Sequence, residues 1–156
     1  DSLSTITIPN SLTTIEKSAF RNCTGLTSLN LGNGVKSIGE NAFYGCTNLI
    51  SVRGGDNIRN IERNAFYNTA WYNNLPDGLN YLGKAAYKYK GTMPSETQIL
   101  IKEGTMGIAA YAFDGCSGMT SVVMPSSMTF IAFVSTATPF CVSISPLRNL
   151  RFVAKQ

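Results

Sequence analysis

The feature that most constrains this 156-residue chain is an internal repeat with a period of 23 residues. Ala-Phe pairs recur in one register, at Ala19-Phe20, Ala42-Phe43, Ala65-Phe66 and Ala112-Phe113. Before the pairs stand Ile15, Ile38, Ile61 and Ile108, and after them stand Cys23, Cys46, Thr69 and Cys116. The last step is 47 residues, two periods plus one. A match of three residue types over four copies indicates a repeat architecture.

Each unit combines a strand pattern with a turn pattern. Leu29 and Leu31 alternate with the polar residues Ser28 and Asn30, which is typical of a half-buried β-strand. The next residues, Asn33-Gly34, predict a turn. A unit of this length cannot bury its own apolar residues, so we expect the units to stack into a solenoid with a continuous parallel ladder. About seven coils at roughly 4.8 Å per strand would give a core near 30 Å long.

The residue before each cysteine position predicts how the Ala-Phe segment ends. It is Asn or Gly in every copy, at Asn22, Gly45, Asn68 and Gly115. These two residue types enter the left-handed region most easily, so we predict that they end one short helical turn. The residues before Ala-Phe are suited to begin that turn; they are Ser18, Asn41 and Asn64. We further predict that Phe20, Phe43, Phe66 and Phe113 form one buried, stacked column.

The segment from Leu26 to Cys46, with Ile38-Gly39 and Ala42-Phe43, resembles the BspA-like leucine-rich repeat of bacterial cell-surface proteins. The resemblance covers about residues 3–70 and 95–131. It implies a leucine-rich-repeat solenoid with a parallel β-sheet on one face and short helical turns on the other. It also implies an extracellular or cell-surface location, a role in adhesion or host-protein binding, and no cofactor or catalytic residue.

The domain expectation is a single repeat domain, residues 1–156, with two irregular parts. A variant unit containing a β-hairpin occupies about residues 71–94, and a divergent C-terminal coil or cap occupies 132–156. Disorder is the alternative for the C-terminal segment, although Leu150 to Val153 has strand alternation. The chain begins at Asp1 without a leader, so we expect it to be part of a longer polypeptide. No apolar stretch is long enough to predict a membrane span.

The variant unit concentrates aromatic and basic side chains. Its Gly83-Lys84 pair suits a type II′ turn between two short strands. The unit is either a binding patch for an acidic partner or a packed aromatic module whose lysines are solvated. The candidate binding residues here are Trp71, Tyr72, Tyr81, Lys84, Tyr87, Lys88, Tyr89 and Lys90.

The outward strand positions form a second candidate surface. They are mostly Ser, Thr and Asn, with Arg53, Leu100 and Lys102 as the exceptions that we add to the candidate binding residues. Such a face either recognises a partner or only keeps the sheet soluble.

Composition excludes several classes of chemistry. The chain has no histidine, which excludes Ser–His and Cys–His nucleophile pairs and His-ligated zinc. Its net charge of +4 is spread along the sequence, so we expect no nucleic-acid partner. The carboxylates are scattered, and we expect no catalytic residue, metal or cofactor. Cys23, Cys46 and Cys116 are expected to be buried thiols, with a disulfide between Cys23 and Cys46 of adjacent coils as the alternative.

The expected function is therefore a non-enzymatic adhesion module that binds a host or bacterial surface protein or glycan. A structural spacer is one alternative, because the side chains on the outward strand face are mostly small and repetitive. An accessory region of a secreted hydrolase is another, with its chemistry elsewhere in the polypeptide.

Overall fold

The computed structural model describes residues 4–131, 141–143 and 151–152, and it is a solenoid of stacked coils. In chain order its elements are β1 (Thr5–Thr7), β2 (Thr14–Ile15), β3 (Ser28–Leu31), β4 (Ser37–Ile38), β5 (Ser51–Gly54), β6 (Asn60–Ile61), α1 (Ala70–Asn73), β7 (Gly78–Leu82), β8 (Ala85–Lys90), β9 (Thr97–Leu100), β10 (Gly107–Ile108), β11 (Met119–Val123), β12 (Phe130–Ile131), β13 (Cys141–Ser143) and β14 (Arg151–Phe152). We number the coils 1, 2, 3, 5 and 6 by Ile15, Ile38, Ile61, Ile108 and Ile131, and the variant unit is coil 4.

The longer strand of each regular coil belongs to what we call the first sheet. Leu29 of β3 lies beside Ile6 of β1 and Val52 of β5, in parallel register. Leu29 and Leu31 are buried while Asn30 is exposed, which confirms the predicted alternation. This sheet is interrupted: β1, β3 and β5 form one part, and β9, β11 and β13 form the other.

The two-residue strands build what we call the second sheet. Ile15, Ile38 and Ile61 are buried and aligned in register on β2, β4 and β6. A second group continues in the order β14, β12, β10, β8 and β7. Its last pair is the predicted hairpin of coil 4, which is antiparallel, while β8 pairs in parallel with β10.

The Ala-Phe segments depart from the predicted helical turn and fold as runs of hydrogen-bonded turns. Ala42 N donates to Gly39 O and Tyr44 N to Asn41 O, within one coil. The alternate amides donate to the next coil, as Phe43 N does to Ala65 O. Asn41 has a φ of +57°, so the prediction that Ser18, Asn41 and Asn64 begin a helix is wrong. The left-handed prediction for Asn22, Gly45, Asn68 and Gly115 is confirmed, with φ values of +59°, +71°, +60° and +81°.

The phenylalanine column is confirmed over three coils only. The rings of Phe20, Phe43 and Phe66 stack with centroid separations of 5.1 Å at both steps. Phe20 is half-buried because it lies in the first coil, whereas Phe43 and Phe66 are fully buried. Phe113 is buried but belongs to a second core cluster. In place of Phe113, Trp71 packs against Phe66 at 4.9 Å.

The C-terminal segment contributes one strand to each sheet. β13 pairs in parallel with β11, and β14 pairs in parallel with β12. The predicted strand from Leu150 to Val153 includes β14, but its first and last residues lie outside the described residues. The domain boundaries remain a prediction.

Candidate functional site: a tyrosine-lined cleft at the variant unit

Coil 4 begins at Thr69, the one member of the cysteine column that is not cysteine. Its hydroxyl group donates to Phe66 O at 2.9 Å and accepts from Tyr72 N at 3.0 Å. The second bond caps the N-terminus of α1, a role for which threonine is well suited. The substitution thus marks the point at which the chain leaves the regular repeat.

The hairpin places coil 4 in the second sheet by way of a tight turn. Gly83 has a φ of +59°, as a type II′ turn requires at this position. Lys84 N then donates to Ile58 O at 2.7 Å, which anchors the start of β8 on coil 3. From there β8 runs extended to Lys90, where a regular coil would fold its Ala-Phe turns.

Because coil 4 lacks that turn segment, coil 5 partly rests on coil 3. Ala110 N donates to Ile61 O at 3.0 Å, across two coils. A Cβ atom on Gly107 would lie only 1.7 Å from Arg59 O, so the contact requires glycine here. The turn segments of coils 3 and 5 therefore face each other with no regular turn between them.

A cleft of about 180 Å³ opens at this gap, and we call it the tyrosine cleft. Its wall from coil 3 includes Arg63 and Tyr67, and its wall from coil 5 includes Tyr111 and Asp114. Residues of coil 4 complete the lining, namely Tyr72, Tyr87 and Lys88. The guanidinium of Arg63 lies over the Tyr111 ring at 5.4 Å and so connects the two walls.

Tyr87 forms the inner part of the cleft and is only 6% exposed. Its hydroxyl group is hydrogen-bonded to the backbone of Phe66, and burial raises its pKa well above the usual value. Phe43 holds the position of Phe66 in coil 2, and there the backbone amide donates to the next turn segment, at Ala65 O. Tyr87 thus replaces part of the missing turn, and its buried ring offers no face to a partner.

Lys88 is held inside the cleft by a backbone acceptor. Its Nζ donates to Tyr111 O at 2.9 Å. Burial lowers the pKa of Lys88, and the carboxylate of Asp114 partly opposes that shift. Burial also raises the pKa of Tyr72, and its neighbours Tyr67 and Asp114 add to the shift. The cleft is therefore an amphipathic site with fixed charges of both signs.

An aromatic ladder runs from coil 2 to the cleft across the turn segments. Its rings are Tyr44, Tyr67 and Tyr72, with centroid separations of 5.9 Å and 5.7 Å. Arg21 covers the outer face of Tyr44 at 5.2 Å, and Lys90 covers Tyr72 at 4.5 Å. Tyr67 is 48% exposed, so this surface is accessible at its centre.

The other predicted aromatic residues of coil 4 are half-buried. Trp71 packs with Tyr72 against the first core cluster, while Tyr81 and Tyr89 pack against the second. The packed-module interpretation thus accounts for most of their area. Part of the Tyr72 ring still lines the tyrosine cleft.

The remaining candidates do not converge on one site. Lys84 Nζ donates to Asn57 Oδ1 at 3.1 Å, on the coil 3 side. Lys102 lies at the end of β9, where its amide donates to the hydroxyl group of Tyr81. Arg53 and Leu100 are exposed, Leu100 by 69%, and neither lines the described part of the tyrosine cleft. Their binding role remains a prediction.

Sequence reasoning missed Arg63, Tyr67, Tyr111 and Asp114 as site residues. A signal existed for one of them, because Tyr44 and Tyr67 both follow the phenylalanine of their unit. No periodic signal marked Tyr111, since the approach of coil 5 to coil 3 depends on how coil 4 folds.

Comparison with family models identifies the repeat. A model described as the BspA type leucine rich repeat region matches residues 1–95 and 91–137, with six copies. The chain belongs to this family. Two solved structures are similar to this BspA-type chain. The leucine rich repeat protein TpLRR of T. pallidum is 19% identical, with a TM-score of 0.46, covering 85% of this chain and 71% of that one.

A leucine rich cell surface protein from Faecalibacterium prausnitzii A2-165 is 18% identical, with a TM-score of 0.29. That match covers 83% of this chain and 56% of the other. No curated protein matches the sequence significantly. The described part of this BspA-type chain contains no helix long and apolar enough to cross a membrane.

The cysteine column of this BspA-type chain is only partly buried. Cys23, Cys46 and Cys116 are all free thiols, and Cys23 and Cys46 are not joined by a disulfide in the structure. Cys46 is buried, its Sγ donates to Phe20 O at 3.0 Å, and burial raises its pKa to about 11. The prediction that Cys23 is buried is wrong, because its side chain lies in coil 1 and is exposed. Cys116 is half-buried.

Among the described residues, no group of potential ligands is arranged to hold a metal ion.

Proposed function

We propose that residues 1–156 act as one non-enzymatic binding module of a bacterial cell-surface protein. Membership of the BspA-type family supports the repeat module and the surface location. The partner is a surface protein or glycan, and the module serves adhesion. The tyrosine cleft is the single observation that carries this proposal, since its polar and aromatic groups interrupt an otherwise regular stack.

Recognition at the cleft follows from the energetics of interfaces. Affinity concentrates in a few Tyr, Trp and Arg side chains that are desolvated when the partner binds. The exposed edge of Tyr67 and the cleft face of Tyr111 provide such anchors beside Arg63. The first sheet offers mainly short polar side chains such as Ser28 and Asn30, which bury little apolar area.

The test compares two double variants of the chain on an array of extracellular-matrix proteins, mucins and released surface glycans. The first variant, Tyr67→Ala with Tyr111→Ala, removes one aromatic ring from each wall of the cleft. The second, Ser28→Ala with Asn30→Ala, alters the first sheet by the same number of substitutions. We expect the cleft variant to lose affinity by tenfold or more, as hot-spot truncations do, and the sheet variant to retain it.

The spacer is the second candidate, and the regular face of the first sheet favours it. Thr5, Thr7 and Asn30 are exposed but short, which suits a surface that only needs to remain hydrated. Failure of the wild-type chain to bind any member of the array would support the spacer. Loss of binding in the sheet variant alone would move the recognition site to the first sheet.

A further inference from the structure

We propose a second binding site, for an acidic polysaccharide, in a groove along the second sheet. The groove has a volume of about 550 Å³, within the range of pockets that hold small ligands. It is lined by residues from coils 1, 2, 3 and 6 and shares no residue with the tyrosine cleft. The proposal is therefore independent of the function assigned to the cleft.

A column of positive charge runs beside this groove. Lys36 and Arg59 occupy one structural position in coils 2 and 3, just before the second-sheet strand. Lys84 likewise precedes β8 in coil 4, although its amide donates to Ile58 O rather than to Arg59 O. Arg59 N donates to Lys36 O at 3.1 Å, which places two of them on adjacent rungs. The equivalent position in coils 1 and 6 holds Thr13 and Thr129. A neutral residue thus fits the position, whereas coils 2 and 3 each place a cation there, and both cations line the groove.

Among the described residues, no carboxylate forms an ion pair with these cations. Lys36 and Arg59 are exposed, and neither forms an ion pair with a described residue. Lys84 donates to the amide oxygen of Asn57, which carries no charge. No Asp or Glu lines the described part of the groove. Like charges on adjacent strands are destabilising, so the column is a cost that an anionic ligand would offset.

The remaining groups of the groove suit a ligand rich in hydroxyl groups. Thr14 and Ser37 line it between the charged rungs and the edge. Asn60 donates to Ser37 Oγ at 2.9 Å, but its own Oδ1 is buried without a hydrogen-bond partner. A buried acceptor of this kind gains from a hydroxyl donor.

An apolar residue forms the far wall of the groove. The structural position of Asn60 is occupied in the next two coils by Ala85 and Gly107, which lie side by side in register. Beyond them Phe130 pairs with Gly107 and forms a half-buried apolar wall. A pyranose ring can pack its apolar face there while its substituents reach the polar groups.

Acidic polysaccharides match the groups of this groove better than other anions do. They carry both hydroxyl and anionic groups along an extended chain that can cross strands spaced roughly 4.8 Å apart. An acidic peptide supplies carboxylates but few hydroxyl groups. Single-stranded nucleic acid is usually held by several stacked aromatic rings, whereas the described groove offers only Phe130.

The experiment measures binding of the chain to oligogalacturonate by isothermal titration calorimetry at low ionic strength. Methyl-esterified oligogalacturonate keeps the rings without the charges, and polyglutamate keeps the charges without the sugar hydroxyl groups. The test variant is Lys36→Thr with Arg59→Thr, which copies the residue of coils 1 and 6 and so should fold. Lys17→Ala is the control, because Lys17 is an exposed lysine that pairs with Glu40 and does not line the groove.

We expect oligogalacturonate to bind, salt to weaken the binding, and both control polymers to bind at least tenfold more weakly. The double threonine variant should lose about tenfold in affinity, because it removes two exposed charge contacts with the ligand. Lys17→Ala should keep the wild-type affinity. The proposal is overturned if the wild type does not bind, if the double variant retains full affinity, or if polyglutamate or single-stranded DNA binds equally well. None of these outcomes tests the tyrosine cleft, because the groove and the cleft share no lining residue.

Discussion

At the residue scale, the cysteine column shows how position in the stack decides the environment of one side chain. Cys46 is enclosed by coils on both sides, and its thiol donates a hydrogen bond to Phe20 O of coil 1. Cys23 has the same sequence context but lies in the first coil, where it is exposed. Thr69 holds the third position because its hydroxyl group also caps α1. The sequence pattern alone treats these positions as equivalent.

This difference predicts an order of alkylation in the folded chain. At pH 8 iodoacetamide should modify Cys23 first, Cys116 more slowly, and Cys46 only after unfolding. The thiolate is the reactive form, and a pKa of about 11 leaves Cys46 protonated as well as shielded. Peptide mapping by mass spectrometry at successive times measures each site separately. Early labelling of Cys46 at the rate of Cys23 would contradict the account.

At the element scale, the regular coils are largely predictable and the variant unit is not. The alternation of Leu29 and Leu31 and the recurrence of Ile38 determine two parallel strands per coil, because only stacking buries them. The hairpin was also predictable from Gly83-Lys84. The first left-handed residue of each turn segment, such as Asn41, was not predicted, because asparagine at this position was interpreted as a helix start. The contact of Ala110 with Ile61 depends on the path of coil 4 and leaves no local pattern.

The stacked column predicts how stability depends on position within it. Phe43→Ala should lower the free energy of unfolding by about 3–5 kcal/mol, because a fully buried ring leaves a cavity between two rigid coils. Phe20→Ala should cost less than about 2 kcal/mol, since that ring is already half-exposed. Urea denaturation of the three proteins measures both values. Equal losses in the two variants would show that the column does not end at coil 1.

At the scale of the whole molecule, one irregular unit changes a uniform stack into a surface with distinct sites. Coil 4 supplies strands to the second sheet but no turn segment, so the turns of coils 3 and 5 separate around the tyrosine cleft. It also interrupts the first sheet between β5 and β9. The core is divided at the same place into two clusters. We propose that this interruption, rather than the regular coils, creates the recognition surface.

Replacement of the variant unit tests that claim most directly. A chain in which residues 72–95 are replaced by a copy of residues 26–48 restores the period and should close the cleft with a regular turn segment. We predict that it folds with at least the stability of the wild type, because stacked coils bury their own faces. Binding to the array partner of the wild-type chain should fall by tenfold or more. A stable replacement chain that binds this partner as tightly as the wild type would contradict the account.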